Sequence, residues 1–244
     1  NNLAVDPLAL ALISQKAEHT FAGVNCGIMD QFASVFGKKD RAMLLDCQSL
    51  HYEYIPLVLE GYKLVLFNTN VKHSLGDSAY NKRRQQCEQG VQWIKAHHPN
   101  VGLLRDATPE MLDKYVKQKD EEVYQKCSYV VEEIDRVKQA VKALKEGKLD
   151  ELGKLMYQTH EGLSSLYEVS CSELDFLVDS VKNLDFVLGA RMMGGGFGGC
   201  TINIVKNEKV DQLIQMLQEL YLEKFNLQLD AYVVETGNGS EQIN

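Results

Sequence analysis

The sequence predicts an α+β chain in which residues 61–244 form a ferredoxin-like, split βαβ domain with added helices, behind a shorter segment, residues 1–60. Three observations carry this. From Tyr62 onward the apolar pattern alternates between strand and helix periods in the order β-α-β-β-α-β. The first 60 residues supply two helices and two strands, too little to close into a fold of their own. The whole chain, 244 residues with 45% hydrophobic and 25% charged side chains, is ample for a packed core and unlike a disordered or collagen-like composition.

In chain order, Asp6 is placed as an N-cap and Pro7 at the first helical position, with Leu8, Ala11, Leu12 and Ile13 at helical spacing, so a helix runs to about His19. Gly23 breaks it. Ile28, Phe32 and Val35 or Phe36 then recur every three or four positions, predicting a second, short helix. Strands follow over Ala42 to Cys47, His51 to Leu57 and Tyr62 to Asn68, the last apolar enough to be central. A helix is predicted from Asp77 to His97. Val123, Cys127, Val130, Ile134, Val137, Val141 and Leu144 trace one apolar face of another, from Glu121 to Lys145. Two more lie around Leu149 to Tyr167 and Glu173 to Asn183. A strand from Phe186 to Met193, a glycine cluster, a strand from Thr201 to Val205, a helix from Val210 to Phe225 and a strand from Ala231 to Glu235 complete the pattern.

Composition narrows the partners. Setting 26 Lys and Arg against 34 Asp and Glu leaves a charge of −8, which repels polyphosphate backbones, so no nucleic acid is expected. No apolar run reaches the roughly 20 residues of a membrane span, and Asn1-Asn2-Leu3 is no signal sequence, so no membrane partner is expected and the reading is cytoplasmic. The six cysteines contain no C-x-x-C pair, which argues for reduced thiols rather than zinc or a disulfide framework. The absence of an initiator Met reads as a piece of a longer polypeptide. His19, His73 and His160 have no acid or cysteine partner at a telling spacing, so none is assigned a metal or a nucleophile. The adjacent Arg83 and Arg84 read as solvent-facing helix residues.

The glycine cluster carries the chemistry. Gly194, Gly196 and Gly199 satisfy G-x-G-x-x-G, but a dinucleotide site needs a helix next and Cys200 to Val205 alternates like a strand. No Lys-Ser or Lys-Thr follows, which excludes a Walker loop, and no His-Arg-Asp or Asp-Phe-Gly triplet supports a protein kinase. What remains is a loop of Gly194, Gly195, Gly196, Gly198 and Gly199 whose bare backbone can approach an anionic or bulky group. A tight strand connection is the alternative, but it needs only one or two glycines.

Three stretches then resemble the galactokinases of the GHMP small-molecule kinase family: Gly23-Val24-Asn25-Cys26-Gly27-Ile28-Met29-Asp30-Gln31, the run Ser78 to Glu88 around Tyr80-Asn81-Lys82-Arg83-Arg84, and Gly189-Ala190-Arg191-Met192-Met193-Gly194 to Cys200. Leu44 to Cys47 and Tyr167 to Cys171 add to the likeness, which extends from about Gln15 to the C-terminus. The resemblance implies a GHMP-kinase-like fold, with residues 1–60 the remnant of a catalytic and nucleotide-binding N-terminal domain and 61–244 the C-terminal domain. It implies that ATP, with Mg²⁺, phosphorylates galactose at the C1 hydroxyl. On the family's pattern Asp30 is the catalytic base, Glu18 the magnesium-binding glutamate and Tyr80 a sugar contact, with Cys26 and Gly27 at the substrate and the five glycines as the third, phosphate-side motif. Without that likeness Asp30 reads as a helix-capping carboxylate, Glu18 as a surface residue and Cys26 as a small buried one. Met193 departs from the family, which mostly has Thr or Ser there.

Two family motifs are missing from this sequence: a sugar-binding segment that supplies an arginine beside the base, and a Gly-Leu-Ser-Ser-Ser-like phosphate loop. The chain is therefore expected to be the C-terminal part of such a kinase, inactive alone and prone to self-association through its truncated N-terminal edge. A sugar- and ATP-sensing regulator, or a sister GHMP kinase with another substrate, are the competing readings. Intact Asp30 speaks against the first, and Tyr80 with Cys26-Gly27 against the second.

Overall fold

A computed structural model describes residues 6–71 and 76–241, without the side chains of 76–78. His73 and the extreme N-terminal residues lie outside this range. Asp6 does cap α1, Pro7–Ala17, its carboxylate accepting from the Leu8 and Ala9 amides at 3.2 and 3.3 Å. The helix does not stop at His19 but widens into a π-helical turn, Glu18–Ala22, before Gly23 ends it in a left-handed conformation. After α2, Met29–Phe36, strands β1, Arg41–Leu45, and β2, Tyr52–Pro56, form an antiparallel hairpin.

These pieces bury a small cluster of their own: Ala11, Ile28 and Phe32, flanked by Phe36 and Tyr52. The segment is nevertheless tied to the far end of the sequence. The amides of Asp40 and Lys39 donate to the Thr236 hydroxyl (2.7 Å) and the Asn238 side chain (3.1 Å). The Ser240 amide donates to the Ser34 carbonyl in the last turn of α2 at 2.8 Å.

The second part contains β3, Tyr62–Asn68, α3, Gly76–Lys95, α4, Pro109–Tyr115, α5, Glu121–Lys145, and α6, Leu149–Ser165. It continues through α7, Ser172–Val181, β4, Val187–Met192, β5, Cys200–Lys206, α8, Val210–Phe225, and β6, Asp230–Val234. The four strands form one antiparallel sheet in the order β4-β5-β3-β6, the arrangement that a split βαβ pattern generates. Alternation along β3 sends Val65 and Phe67 into the main core with Leu177 of α7 and Leu213, Leu217 and Tyr221 of α8.

The sheet's other face is not bare. Leu64, Ile202 and Ile204 share a cavity of about 320 Å³ with Val137 of α5 and Leu155 of α6. There α6 lies against β4 at backbone distance: a Cβ on Gly153 would stand 2.0 Å from the Leu188 carbonyl. Helix α4 has no counterpart in the sequence-based expectation, although Thr108 caps it and Pro109 occupies its first position. Among the described residues no helix is long and apolar enough to cross a membrane.

Candidate functional site

Where the N-terminal segment meets the C-terminal sheet there is an open cleft of about 640 Å³. Glu18 from the π-helical turn, Cys26 and Gly27 from the loop after it, and Asp30 from the first turn of α2 border one side. Tyr80 of α3 and Gly194 to Gly196 border the other. Residues singled out in three distant stretches of sequence thus face one space. Gly198 and Gly199 do not border it. The Gly199 carbonyl accepts from both the amide and the hydroxyl of Thr69 at 2.9 Å, anchoring the end of the glycine loop to β3.

Local structure explains each placement. The Cys26 carbonyl accepts from His19 Nε2 at 2.9 Å and from Gln15 Nε2 at 3.3 Å, so α1 and its π-helical extension fix the loop that leads into α2. His19 therefore has a structural role that its spacing did not reveal, with its proton on Nε2. Ile28 provides no side-chain cap to α2, and Asp30 in its first turn is exposed and carries no ion pair among the described residues. An exposed carboxylate in the first turn of a helix leaves its oxygens open to accept a hydrogen bond from a bound hydroxyl. The cationic neighbour that a confined base normally needs is not supplied by the described residues.

The glycine loop is shaped by what lies beneath it. Gly194 and Gly196 have φ of +75° and +85°, and Phe197 between the later glycines has φ of +60°. The Phe197 amide donates to the Val169 carbonyl at 2.6 Å, and that same carbonyl would stand 2.0 Å from a Cβ on Gly196. Gly195 instead faces the cleft, where an added Cβ would meet the Tyr80 ring at 3.7 Å. At the start of the loop the Met192 amide donates to His160 Nδ1 at 3.2 Å, and His160 Nε2 lies 3.3 Å from Asp175, which also accepts from Ser164 and Ser170. His160 thus does have an acid partner, brought in by folding rather than by spacing. Burial pushes its pKa down against the opposing pull of Asp175, so the ring is neutral and accepts at Nδ1.

The two adjacent arginines do not simply face solvent. Arg84 donates to the Asn25 carbonyl at 3.0 Å, while Arg83, with 11% of its side chain exposed, reaches the Tyr167 carbonyl at 2.7 Å. Arg83 sits three positions after Tyr80, a spacing that puts the two on one helix face. Burial also drives the Tyr167 phenol far above its ordinary pKa, leaving it neutral beside Cys87. No three His, Cys, Asp or Glu side chains gather as a metal cage among the described residues. A small hard cation shared with phosphate oxygens needs only one or two carboxylates, and Glu18 at the cleft edge fits that requirement.

Comparison with known proteins places this geometry. Residues 1–38 match the GHMP kinases N terminal domain, and residues 140–222 match GHMP kinases C terminal. Galactokinase of Thermotoga neapolitana is 44% identical over 97% of the chain and 65% of its own length. That of Clostridium perfringens is 42% identical over 99% of the chain and 62% of its own length. Lactococcus lactis galactokinase, solved in complex with galactose, superposes with a TM-score of 0.92 at 35% identity, over 99% of this chain and 62% of that one. Mevalonate kinase of L. major shares the fold at 20% identity with a TM-score of 0.57, over 97% of this chain and 60% of that one. The chain spans less than two thirds of the length of the curated relatives it matches.

Proposed function

We propose that the chain is a member of the GHMP kinase family, whose N-terminal and C-terminal models it matches, and that it is the C-terminal portion of a galactokinase, which transfers the γ-phosphoryl group of ATP to the C1 hydroxyl of galactose. The products are galactose 1-phosphate and ADP. The observation that carries the reading is the convergence of Asp30, Tyr80 and the bare backbone of Gly194 to Gly196 on one cleft. Phosphoryl transfer asks little covalent chemistry of the protein and depends on placing the nucleophile and neutralising charge. In this reading Asp30 accepts the proton of the C1 hydroxyl as the oxygen attacks phosphorus, a contribution of about 10²- to 10⁴-fold. Tyr80 covers the sugar and offers its phenol to a hydroxyl, the backbone of Cys26 and Gly27 closes the sugar side, and the glycine loop admits the phosphate side without side-chain obstruction.

Glu18 would hold Mg²⁺, which would supply positive charge to offset that of the phosphates. We take residues 1–60 as the remnant of the catalytic and nucleotide domain and 61–244 as the C-terminal domain, with Gly61, at φ +82°, as the turn between them.

A coupled ADP-release assay tests the reading in a polypeptide of the relatives' full length and in the 244-residue chain. Galactose-dependent turnover in the former and none in the latter is expected. ADP release that ignores galactose, or turnover by the 244 residues alone, overturns it.

A further inference from the structure

Away from the cleft, two cations withdrawn from solvent direct their donors at one short stretch of backbone. Lys126 on α5 has no exposed side-chain surface, and its ammonium donates to the Leu166 carbonyl and to the Glu168 carboxylate, both at 2.7 Å. Arg83 donates from Nε to the Tyr167 carbonyl at 2.7 Å and from Nη2 to both the carbonyl and the carboxylate of Glu168 at 3.2 Å. Its Nη1 donates to Gln86 at 3.0 Å. Three successive carbonyls past the end of α6 are thus held by positive charge, where the helix dipole favours it. Glu168 itself has φ of +54°, a conformation that a non-glycine residue keeps only where its surroundings over-determine it.

Ion pairs whose carboxylate is half in solvent contribute little to stability, so this arrangement calls for another consequence. The next residue supplies one. The Val169 amide is bonded to the Leu163 carbonyl at 3.0 Å, and its own carbonyl is the seat of the glycine loop, taking the Phe197 amide at 2.6 Å. Helix α3 meanwhile joins this seat to the other wall of the cleft, because Arg84 and Asn81 bond the Asn25 carbonyl and amide just ahead of Cys26.

We propose that Arg83 and Lys126 are positioning residues for phosphoryl transfer: by locking the Leu166–Val169 turn they set where the glycine loop stands relative to Asp30, without touching either substrate. The proposal rests on the galactokinase reading for its kinetic consequence and on the backbone geometry alone for its structural one. Arg83→Lys keeps the charge but loses the planar fork, so it is expected to fail as Lys126→Met does.

The test uses the full-length polypeptide with Arg83→Lys, Lys126→Met and Glu168→Gln, and Lys148→Met in an exposed ion pair as control. In the three variants kcat for galactose is expected to fall about 10- to 100-fold per folded molecule, with the galactose KM within about threefold of wild type. Amide exchange at Phe197 should quicken at least about tenfold, while Leu213 and Leu217 of α8 and the control stay unchanged. If Lys126→Met does not fold, Arg83→Lys and the half-exposed Glu168→Gln carry the measurement. Unchanged Phe197 exchange, or a kcat loss that vanishes when corrected for the folded fraction, overturns the proposal. A wild-type protein that does not phosphorylate galactose refutes the functional reading instead, and Phe197 exchange still decides whether the two cations seat the loop.

Discussion

Replacing Gly196 by alanine separates conformational strain from steric collision within one loop. At φ +85° a side chain costs about 1–2 kcal/mol through contact with its own backbone. A Cβ there would also lie 2.0 Å from the Val169 carbonyl, so either that turn or the loop must move, adding about 1–3 kcal/mol of overpacking. If the loop gives way, the bond from the Phe197 amide is lost, for about 1 kcal/mol more. The sum, about 3–6 kcal/mol, corresponds to a fall in melting temperature of about 6–24 °C for a chain of this size.

Two neighbours serve as controls. Gly194 shares the positive φ but has nothing within 4 Å of an added Cβ, so Gly194→Ala should lose only about 1–2 kcal/mol. Gly195→Ala meets Tyr80 at an ordinary 3.7 Å and should leave stability unchanged while raising the galactose KM of the full-length polypeptide, because the methyl narrows the cleft. Thermal unfolding of the three variants by circular dichroism checks the order. A Gly196→Ala protein as stable as Gly194→Ala refutes the claim that the loop rests on Val169.

In the full-length polypeptide Asp30→Asn should lower galactose turnover by about 10²- to 10⁴-fold with little change in melting temperature, since the carboxylate is exposed and unpaired among the described residues; near wild-type kcat removes Asp30 from the base role. His160 has a folded pKa below its ordinary 6.5, so the unfolded chain binds the proton first on acidification. The stability it contributes is complete above about pH 6.5 and is lost as pH falls through the depressed folded value, with a slope of at most about 1.4 kcal/mol per unit. Urea unfolding of His160→Asn between pH 5 and 7 should lack that acid limb, and an identical limb in both proteins rejects the assignment. The 244-residue chain exposes Ile13, Phe21 and Met29, Phe21 by 93%, and should self-associate; a monomer mass by light scattering at high concentration counts against it.

Much of this architecture could be read from side-chain periodicity, and the exceptions have physical causes. Helix α5 begins and ends where its seven-residue apolar stripe places it, its Asp120 cap showing only in the fold, and α8 likewise follows its pattern. Helix α4 carries too few apolar repeats in its seven residues to show a period, although Thr108-Pro109 marks its start. The π-helical turn at Glu18 leaves no periodic trace in five residues. At the cleft, no spacing rule joins Asp30 to the glycine loop; only the likeness of motifs linked them. Arg83 was beyond reach because its partners are backbone carbonyls 84 and 85 positions away, and carbonyls have no sequence signature.

The bonds that fasten residues 34–40 to residues 236–240 span 196 to 206 positions. Contacts so remote in sequence form late, since the chain between them must condense before its ends can meet. The helix bearing Asp30 therefore acquires its terminal cap after the sheet is assembled. A partly folded molecule would hold a finished hydrophobic interior and an unfinished cleft, so catalytic competence is expected to trail the recovery of secondary structure during refolding.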